Sequence, residues 1–216
     1  MMIKNEERYI QQTLRSVLPY AEHAIIVDTG STDNTTFLVE KILAESPTKN
    51  WTFIKDEVVG DSINWDGNHL SQTLTNIRNN MLENTTTDWV WQVDGDEIYT
   101  EDAVHDLRLG MSSLEFGQGV KGIMVPIRWC SSDEEFYPAG PFPKTLRVMP
   151  SSGRWVGEFP NEFLYVDGVP IHMNDPRCIS TNHPFLHMSM ALHPERRPSN
   201  ELPVELSEEE KKCLNS

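Results

Sequence analysis

Cysteine is scarce in these 216 residues: Cys130, Cys178 and Cys213 are odd in number, widely spaced and include no C-x-x-C pair. That excludes a disulfide framework or a thiolate zinc site as the organising feature. Basic residues are scarce as well, 18 Lys and Arg against 33 Asp and Glu, giving a formal charge of −15 at pH 7. A chain this acidic carries no electrostatic footprint for nucleic acid or for an anionic membrane surface. No run approaches the roughly 20 apolar residues of a membrane span, and the start Met1 to Glu7 has no apolar signal core. The expectation is a cytoplasmic protein, in the host-cell cytoplasm if phage- or virus-encoded. A Gly-rich basic phosphate loop is also missing near the first strand, which disfavours nucleotidyl transfer. What remains is 38% hydrophobic and 24% charged, an ordinary globular balance at a length that supports one sizeable core.

Apolar positions Ile10, Leu14, Val17 and Leu18 recur at helical spacing before Pro19, predicting a helix over about residues 5–18. Ala24-Ile25-Ile26-Val27 is a continuous β-branched run typical of a strand covered on both faces, and it ends in Asp28-Thr29-Gly30-Ser31. Leu38, Val39, Ile42 and Leu43 form a second helical stripe, with Asp33 or Asn34 placed to cap it. Trp51 to Ile54 reads as a strand, residues 56–68 as a loop, and Leu70, Leu74, Ile77 and Met81 as a third helix. Trp89 to Val93 is the next strand and runs into Asp94-Gly95-Asp96-Glu97, after which Val104, Leu107, Met111 and Leu114 mark a fourth helix. Alternation of strand and helix predicts an α/β fold with a mostly parallel central sheet flanked by helices and a short N-terminal strand. Residues 1–115 form this α/β half and 116–194 a strand-and-loop half of the same domain. Residues 195–216, with Pro198, Pro203 and a charged run, read as a flexible tail.

In open α/β sheets ligands collect at the carboxyl ends of strands, and here two strands end in Asp-bearing turns. Asp94 and Asp96 flank Gly95, so both carboxylates can leave a strand end on one side while the glycine allows close backbone approach. Such a pair suits a hard divalent cation held by oxygen. The bland alternative is a solvated acidic turn that caps the following helix.

Four motifs occur in order: Lys4-Asn5-Glu6-Glu7, Asp28-Thr29-Gly30-Ser31-Thr32-Asp33-Asn34-Thr35, Arg78-Asn79 and Asp94-Gly95-Asp96-Glu97. Together they resemble family 2 glycosyltransferases of the GT-A fold, especially bacterial and phage-type members, over roughly residues 1–100. The resemblance implies a metal-dependent transfer of a sugar from a nucleotide-diphosphate-sugar donor to a hydroxyl acceptor, with inversion. It makes residues 1–115 the nucleotide-sugar-binding half and residues 116–194 the acceptor side. It implies donor-binding roles for Asp28 at the base, Arg78 near the base or diphosphate, and Asp94 and Glu6. Asp96, with Asp94, then resembles the ligand of Mn²⁺ or Mg²⁺. A C-terminal histidine often joins the metal in such proteins; His187 is the best match, ahead of His183 and His172.

Relatives also show an arginine-containing strand and then a glycine followed by His-Glu. Leu146-Arg147-Val148-Met149 and Gly157-Glu158-Phe159-Pro160-Asn161-Glu162 are similar, but Asn161 stands in place of the histidine and the spacing is one residue longer. Glu162 is the candidate catalytic base and Glu158 its rival. A UDP-sugar is the first expectation for the donor, and the acceptor is a glycan, lipid or protein. The altered His-Glu element and the short first strand keep a second reading open, a lapsed relative that binds nucleotide or sugar without turnover. A third reading is an acidic module that binds a divalent ion alone.

Overall fold

Burial of alternate faces organises the N-terminal half of this computed structural model. It describes residues 1–46, 50–55, 68–116, 119–138, 144–157, 162–172, 174–198 and 202–215, and the backbone alone at 68–73 and 114–116. Strand β1 (Met2–Ile3) pairs in parallel with β2 (Ala24–Asp28), which pairs in parallel with β3 (Trp51–Lys55). Helices α1 (Ile10–Val17) and α2 (Thr35–Glu45) cover one face, where Ile3, Ile10, Leu14, Ile26, Val39 and Leu43 pack together. Helix α3 (Asn68–Glu83) covers the other, with Ile77 against Val27 and with Met2, Ile25 and Met81 around them. The continuous apolar run of β2 is thus the pattern of a strand buried on both sides. The expected loop at 56–68 falls almost wholly outside the described residues.

Helix α1 starts later than the apolar spacing predicts. Asn5 adopts a left-handed backbone (φ 56°), and the Glu6 carbonyl accepts from the amides of Tyr9 and Ile10, so residues 5–9 form a turn ahead of the helix. Asn and Asp tolerate that conformation better than other non-glycine residues.

Beyond β4 (Trp89–Trp91), β5 (Glu97–Tyr99) and α4 (Glu101–Phe116), the chain is mostly strand. Long β6 (Gly122–Cys130) is the hub of the larger sheet. It pairs antiparallel with β7 (Glu135–Tyr137) and β8 (Lys144–Pro150), and parallel with β12 (Cys178–Ser180) and β13 (Phe185–His187). Strand β8 also pairs antiparallel with β4, and β13 with β5. The parallel order therefore belongs to β1–β3 and their bridge from Met2 to Asp94, while the larger sheet is mixed. A small antiparallel sheet of β9 (Arg154–Val156), β10 (Phe163–Val166) and β11 (Val169–Pro170) packs Leu164 and Val166 with Leu82 of α3 and Met149 of β8.

The C-terminal segment corrects one expectation. In place of a flexible tail, β14 (Val204–Glu205) pairs with β7 and α6 (Glu208–Leu214) packs back on the domain; the short helix α5 (Ser189–Leu192) precedes them. Leu206 and Leu214 are buried with Tyr9, Ile98, Cys130, Phe136, Leu186 and Met188. Ser207 and Glu210 form a complete capping box, and Glu210 also meets Arg128 at 3.2 Å. Two apolar anchors and a capped start outweigh the charged composition that suggested disorder. Among the described residues, no helix is long and apolar enough to cross a membrane.

Candidate functional site

The first two motifs lock into each other. Asn5 N–H donates to the Ser31 hydroxyl (2.9 Å), and Asn5 Oδ1 accepts from Thr32 N–H (2.8 Å). Glu6 N–H donates to Thr35 Oγ1 (2.7 Å), and Glu7 Oε2 accepts from Asn34 N–H (3.0 Å), at the start of α2. Asp33 Oδ1 accepts from Thr35 N–H (3.0 Å), so it is Asp33, not the side chain of Asn34, that braces the first turn. Asp28, only 4% exposed, spends its carboxylate on its own turn, accepting from Ser31 N–H (3.2 Å), Gly30 N–H (3.3 Å) and the Ser31 hydroxyl. Gly30, at φ 96°, supplies the left-handed residue that turn requires.

The turn after β4 holds the second acidic group. A Cβ on Gly95 would lie 2.7 Å from Glu6 Cγ and 3.1 Å from Ile3 Cγ2, so the glycine is what lets Glu6 lie against the turn between Asp94 and Asp96. Thr13 Oγ1 donates to the Gly95 carbonyl (2.9 Å), and Met188 N–H to the Asp96 carbonyl (2.9 Å). Pairing of β13 with β5 sets His187 opposite Glu97, with Nδ1 3.9 Å from Asp96 Oδ2 and Nε2 4.0 Å from Glu97 Oε1. The His187 ring rests on Trp129, 4.5 Å between centroids. Asp94, Asp96, Glu6 and His187, four of the expected site residues, thus gather at one end of the sheet.

Arg147 is the residue that sequence reasoning left without a role. Buried on β8, it forms an ion pair with Glu97, lies 3.7 Å from Asp94 Oδ2 and stacks over Phe185 at 5.1 Å. A charged residue inside the apolar run Leu146 to Met149 was the available signal, since a buried charge needs a buried partner. Burial pushes the Asp94 carboxyl upward, but the guanidinium groups of Arg147 and Arg78 outweigh it and hold the group below its ordinary range. For Glu6 the one guanidinium that acts on it, Arg196, is outweighed. Burial, then Asp96, Asp94 and Asp33, push its carboxyl from 4.5 up to about 9. Burial lowers the His187 pKa against the pull of Asp96, which favours the neutral imidazole that a metal needs.

Arg78 and Glu162 form a second group beside the first. Their side chains make an ion pair, Thr75 Oγ1 donates to Glu162, and Arg78 lies over the Trp155 ring at 5.4 Å. The neighbouring Asn79 clamps β9, exchanging hydrogen bonds with Trp155 N–H (2.8 Å) and carbonyl (2.9 Å). Arg78, Asp94 and Trp155 line one small cavity of about 40 Å³. The rival base Glu158 lies outside the described residues. His183 is bound to Asp106 at 3.1 Å, and His172 lies edge-on to Phe163.

Among the described residues, no three His, Cys, Asp or Glu side chains already stand as a metal-holding group. The donor chemistry nonetheless fits a divalent cation. Glu6 Oε2 is buried without a hydrogen-bond partner, and Asp96 accepts no side-chain hydrogen bond among the described residues. Carboxylates crowded around an unpaired buried oxygen, with a neutral imidazole beside them, suit Mn²⁺ or Mg²⁺.

No curated protein matches this chain. Among solved structures, S. aureus TarS is similar at 17% identity over 70% of this chain and 27% of that one, with a TM-score of 0.44. TarS 1-349 in complex with UDP is similar at 21% identity over 60% and 35%, with a TM-score of 0.40. The Mycobacterium tuberculosis glucosyl-3-phosphoglycerate synthase in complex with Mn²⁺ and uridine-diphosphate-glucose is similar at 18% identity over 60% and 42%, with a TM-score of 0.39. The chain spans less than half the length of each of these proteins. Its residues 1–58, which carry the two interlocked motifs, match the family model for glycosyl transferase family 2.

Proposed function

We propose that the protein is a metal-dependent glycosyltransferase of GT-A type that moves a sugar from a nucleotide-diphosphate donor, a UDP-sugar first, to a hydroxyl group with inversion. The observation that carries this reading is the contact of Glu6, from the segment that matches the family model, with the Gly95 turn between Asp94 and Asp96. Asp96, Glu6 and His187 would hold Mn²⁺ or Mg²⁺, with Asp94 beside them on the donor. When bound, the cation supplies Lewis-acid stabilisation of the leaving diphosphate.

The chain's own residues do the rest. Arg147 keeps Asp94 ionised and fixed, and Trp129 packs against the ring of His187. Arg78 faces the same cavity as Asp94 and would meet donor phosphate oxygens. Its present partner, Glu162, would then be released as a carboxylate able to accept the proton of the acceptor hydroxyl as that oxygen attacks the anomeric carbon. Glu158 remains its rival in that role.

A second reading, a lapsed relative that binds without turnover, draws support from Asp28 and Glu162, both of whose carboxylates are already engaged within the fold. Calorimetric titration with UDP, and then GDP, separates donor binding from none. Heat that appears with Mn²⁺ and vanishes with chelator supports the donor site; no heat with either nucleotide overturns it. UDP release from UDP-sugars, assayed on the same protein, then distinguishes the transferase from the lapsed form.

A further inference from the structure

Past His187 the chain turns back toward the acidic site. Helix α5 is followed by a tight helical turn (Pro194–Arg196), in which His193 N–H donates to the Ser189 carbonyl (2.8 Å) and Arg196 N–H to the His193 carbonyl (2.9 Å). This return brings Arg196 beside Ser189, whose hydroxyl accepts from Arg196 Nη1 (2.9 Å). Ser189 is buried, and its own amide donates to His187 Nδ1 (3.4 Å). A single serine thus links the guanidinium to the imidazole, and that same imidazole nitrogen lies 3.9 Å from Asp96 Oδ2.

The two arginines of this segment are used differently. Arg197 gives its donors to main-chain carbonyls, Met190 (3.2 Å) and Ser131 (2.7 Å), and so ties the turn to the domain. Arg196 is exposed and, among the described residues, forms no ion pair; the adjacent Glu195 meets His193 instead (3.4 Å). A guanidinium carries several N–H donors in a planar fork, and the Ser189 hydroxyl takes one of them. Its charge is felt at the site all the same. Burial and the neighbouring acids raise the Glu6 carboxyl, and Arg196 opposes them; the same guanidinium adds to burial in lowering the His187 pKa. An arginine in the field of Glu6 that closes on no carboxylate keeps its fork for a ligand, and the fork geometry matches an oxyanion.

The charge around the turn says which oxyanion needs it. Glu6 and Asp96 match the charge of a divalent cation, Asp94 adds a further negative charge, and Arg147 is taken by Glu97 and Asp94. Phosphoryl oxygens arriving there need cations from the chain itself, and Arg78 approaches from α3 and acts on Asp94. We propose that Arg196, positioned by Ser189, binds a phosphoryl group at the acidic site from the His187 side, an inference that rests on the metal-dependent reading above. Two molecules carry that chemistry: the donor through its diphosphate, and an acceptor that itself bears phosphate.

Calorimetry on the full chain compares the wild type with Arg196→Gln, titrating UDP with Mn²⁺ and then inorganic phosphate with Mn²⁺ and UDP present. Loss of a charged hydrogen-bond donor should weaken binding about tenfold or more in one arm. The UDP arm moves if the donor is the source, and the phosphate arm if an acceptor phosphate is. Mn²⁺ affinity without nucleotide, read by electron paramagnetic resonance, should hold or tighten in the same variant, because a positive charge has left the field of Glu6 and His187. A guanidinium that only props the turn would loosen Mn²⁺ instead, and that result overturns the proposal, as do unchanged affinities in both arms. Arg196→Lys should recover part of the loss. Ser189→Ala should reproduce part of it in the same arm, and no change there overturns the positioning role. A wild type that binds Mn²⁺ but no UDP defeats the donor site of the proposed function; the phosphate arm, run without nucleotide, then decides on Arg196, and absence of phosphate binding overturns this inference too.

Discussion

At the scale of single residues the acidic end of the sheet holds two kinds of carboxylate. Asp94 and Glu97 share Arg147, whereas Glu6 and Asp96 crowd each other with Arg196 only partly offsetting the repulsion. Truncating a member of each kind should have opposite effects on stability. Asp96→Ala removes a neighbour that repels Glu6, so the unfolding free energy should hold within about 1 kcal/mol or rise, while metal-dependent UDP binding is lost in calorimetry. Arg147→Met leaves the fully buried Glu97 and the partly exposed Asp94 without their cation and should cost about 3–5 kcal/mol in denaturant unfolding. Glu162→Gln should preserve UDP affinity and slow sugar transfer roughly 10²–10⁴-fold. The same loss from Glu158→Gln alone would move the base to that residue.

At the scale of elements, the strands that end in acid were readable because each is a continuous apolar run with an abrupt polar stop: Ala24 to Asp28 is a parallel strand buried on both faces, and Trp89 to Asp94 carries the same run and stop although β4 pairs antiparallel with β8. The second half resisted because its strands are short, interrupted by proline and paired across long separations, as β13 is with β5 and β6. His187 could be named as a candidate from its neighbours, but nothing local says that β13 would set it beside Asp96. Arg147 was visible as a charge in an apolar strand, without a partner to give it a role. The C-terminal segment was misread through composition, although Ser207 and Glu210 carry the spacing of a capping box. Removing residues 199–216 should therefore uncover Tyr9, Cys130 and Phe136 and lower stability by about 3 kcal/mol or more, measured by urea unfolding. Because Ile98, Leu186 and Met188 belong to that same cluster, the truncation should also weaken metal-dependent nucleotide binding.

At the scale of the whole molecule, a net charge of −15 combines with Glu6 to set the dependence on pH. Its carboxyl titrates near 4.5 when unfolded and at about 9 when folded, so between those values the folded form holds the extra proton. Stability from this group is complete below pH 4.5 and is lost as pH rises toward 9. In thermal scans from pH 6 to 9 the Tm of the wild type should fall relative to that of Glu6→Gln, a comparison that cancels the opposite contribution of the buried Met1 amine. Mn²⁺ should flatten that fall, because a cation beside Glu6 replaces the proton.

The interlock of the first two motifs has a consequence for inheritance. Asn5 with Ser31 and Thr32, Glu6 with Thr35, and Glu7 with Asn34 are partners across two turns some 27 residues apart in the chain. A change on one turn strands a donor or acceptor on the other, so neither can drift alone. The two motifs should be handed down as a matched set, with substitutions in one answered in the other. A double-mutant cycle of Glu7→Ala with Asn34→Ala, whose side chains meet at 3.0 Å across the two turns, reads that coupling directly, with an expected interaction energy of about 0.5–1 kcal/mol.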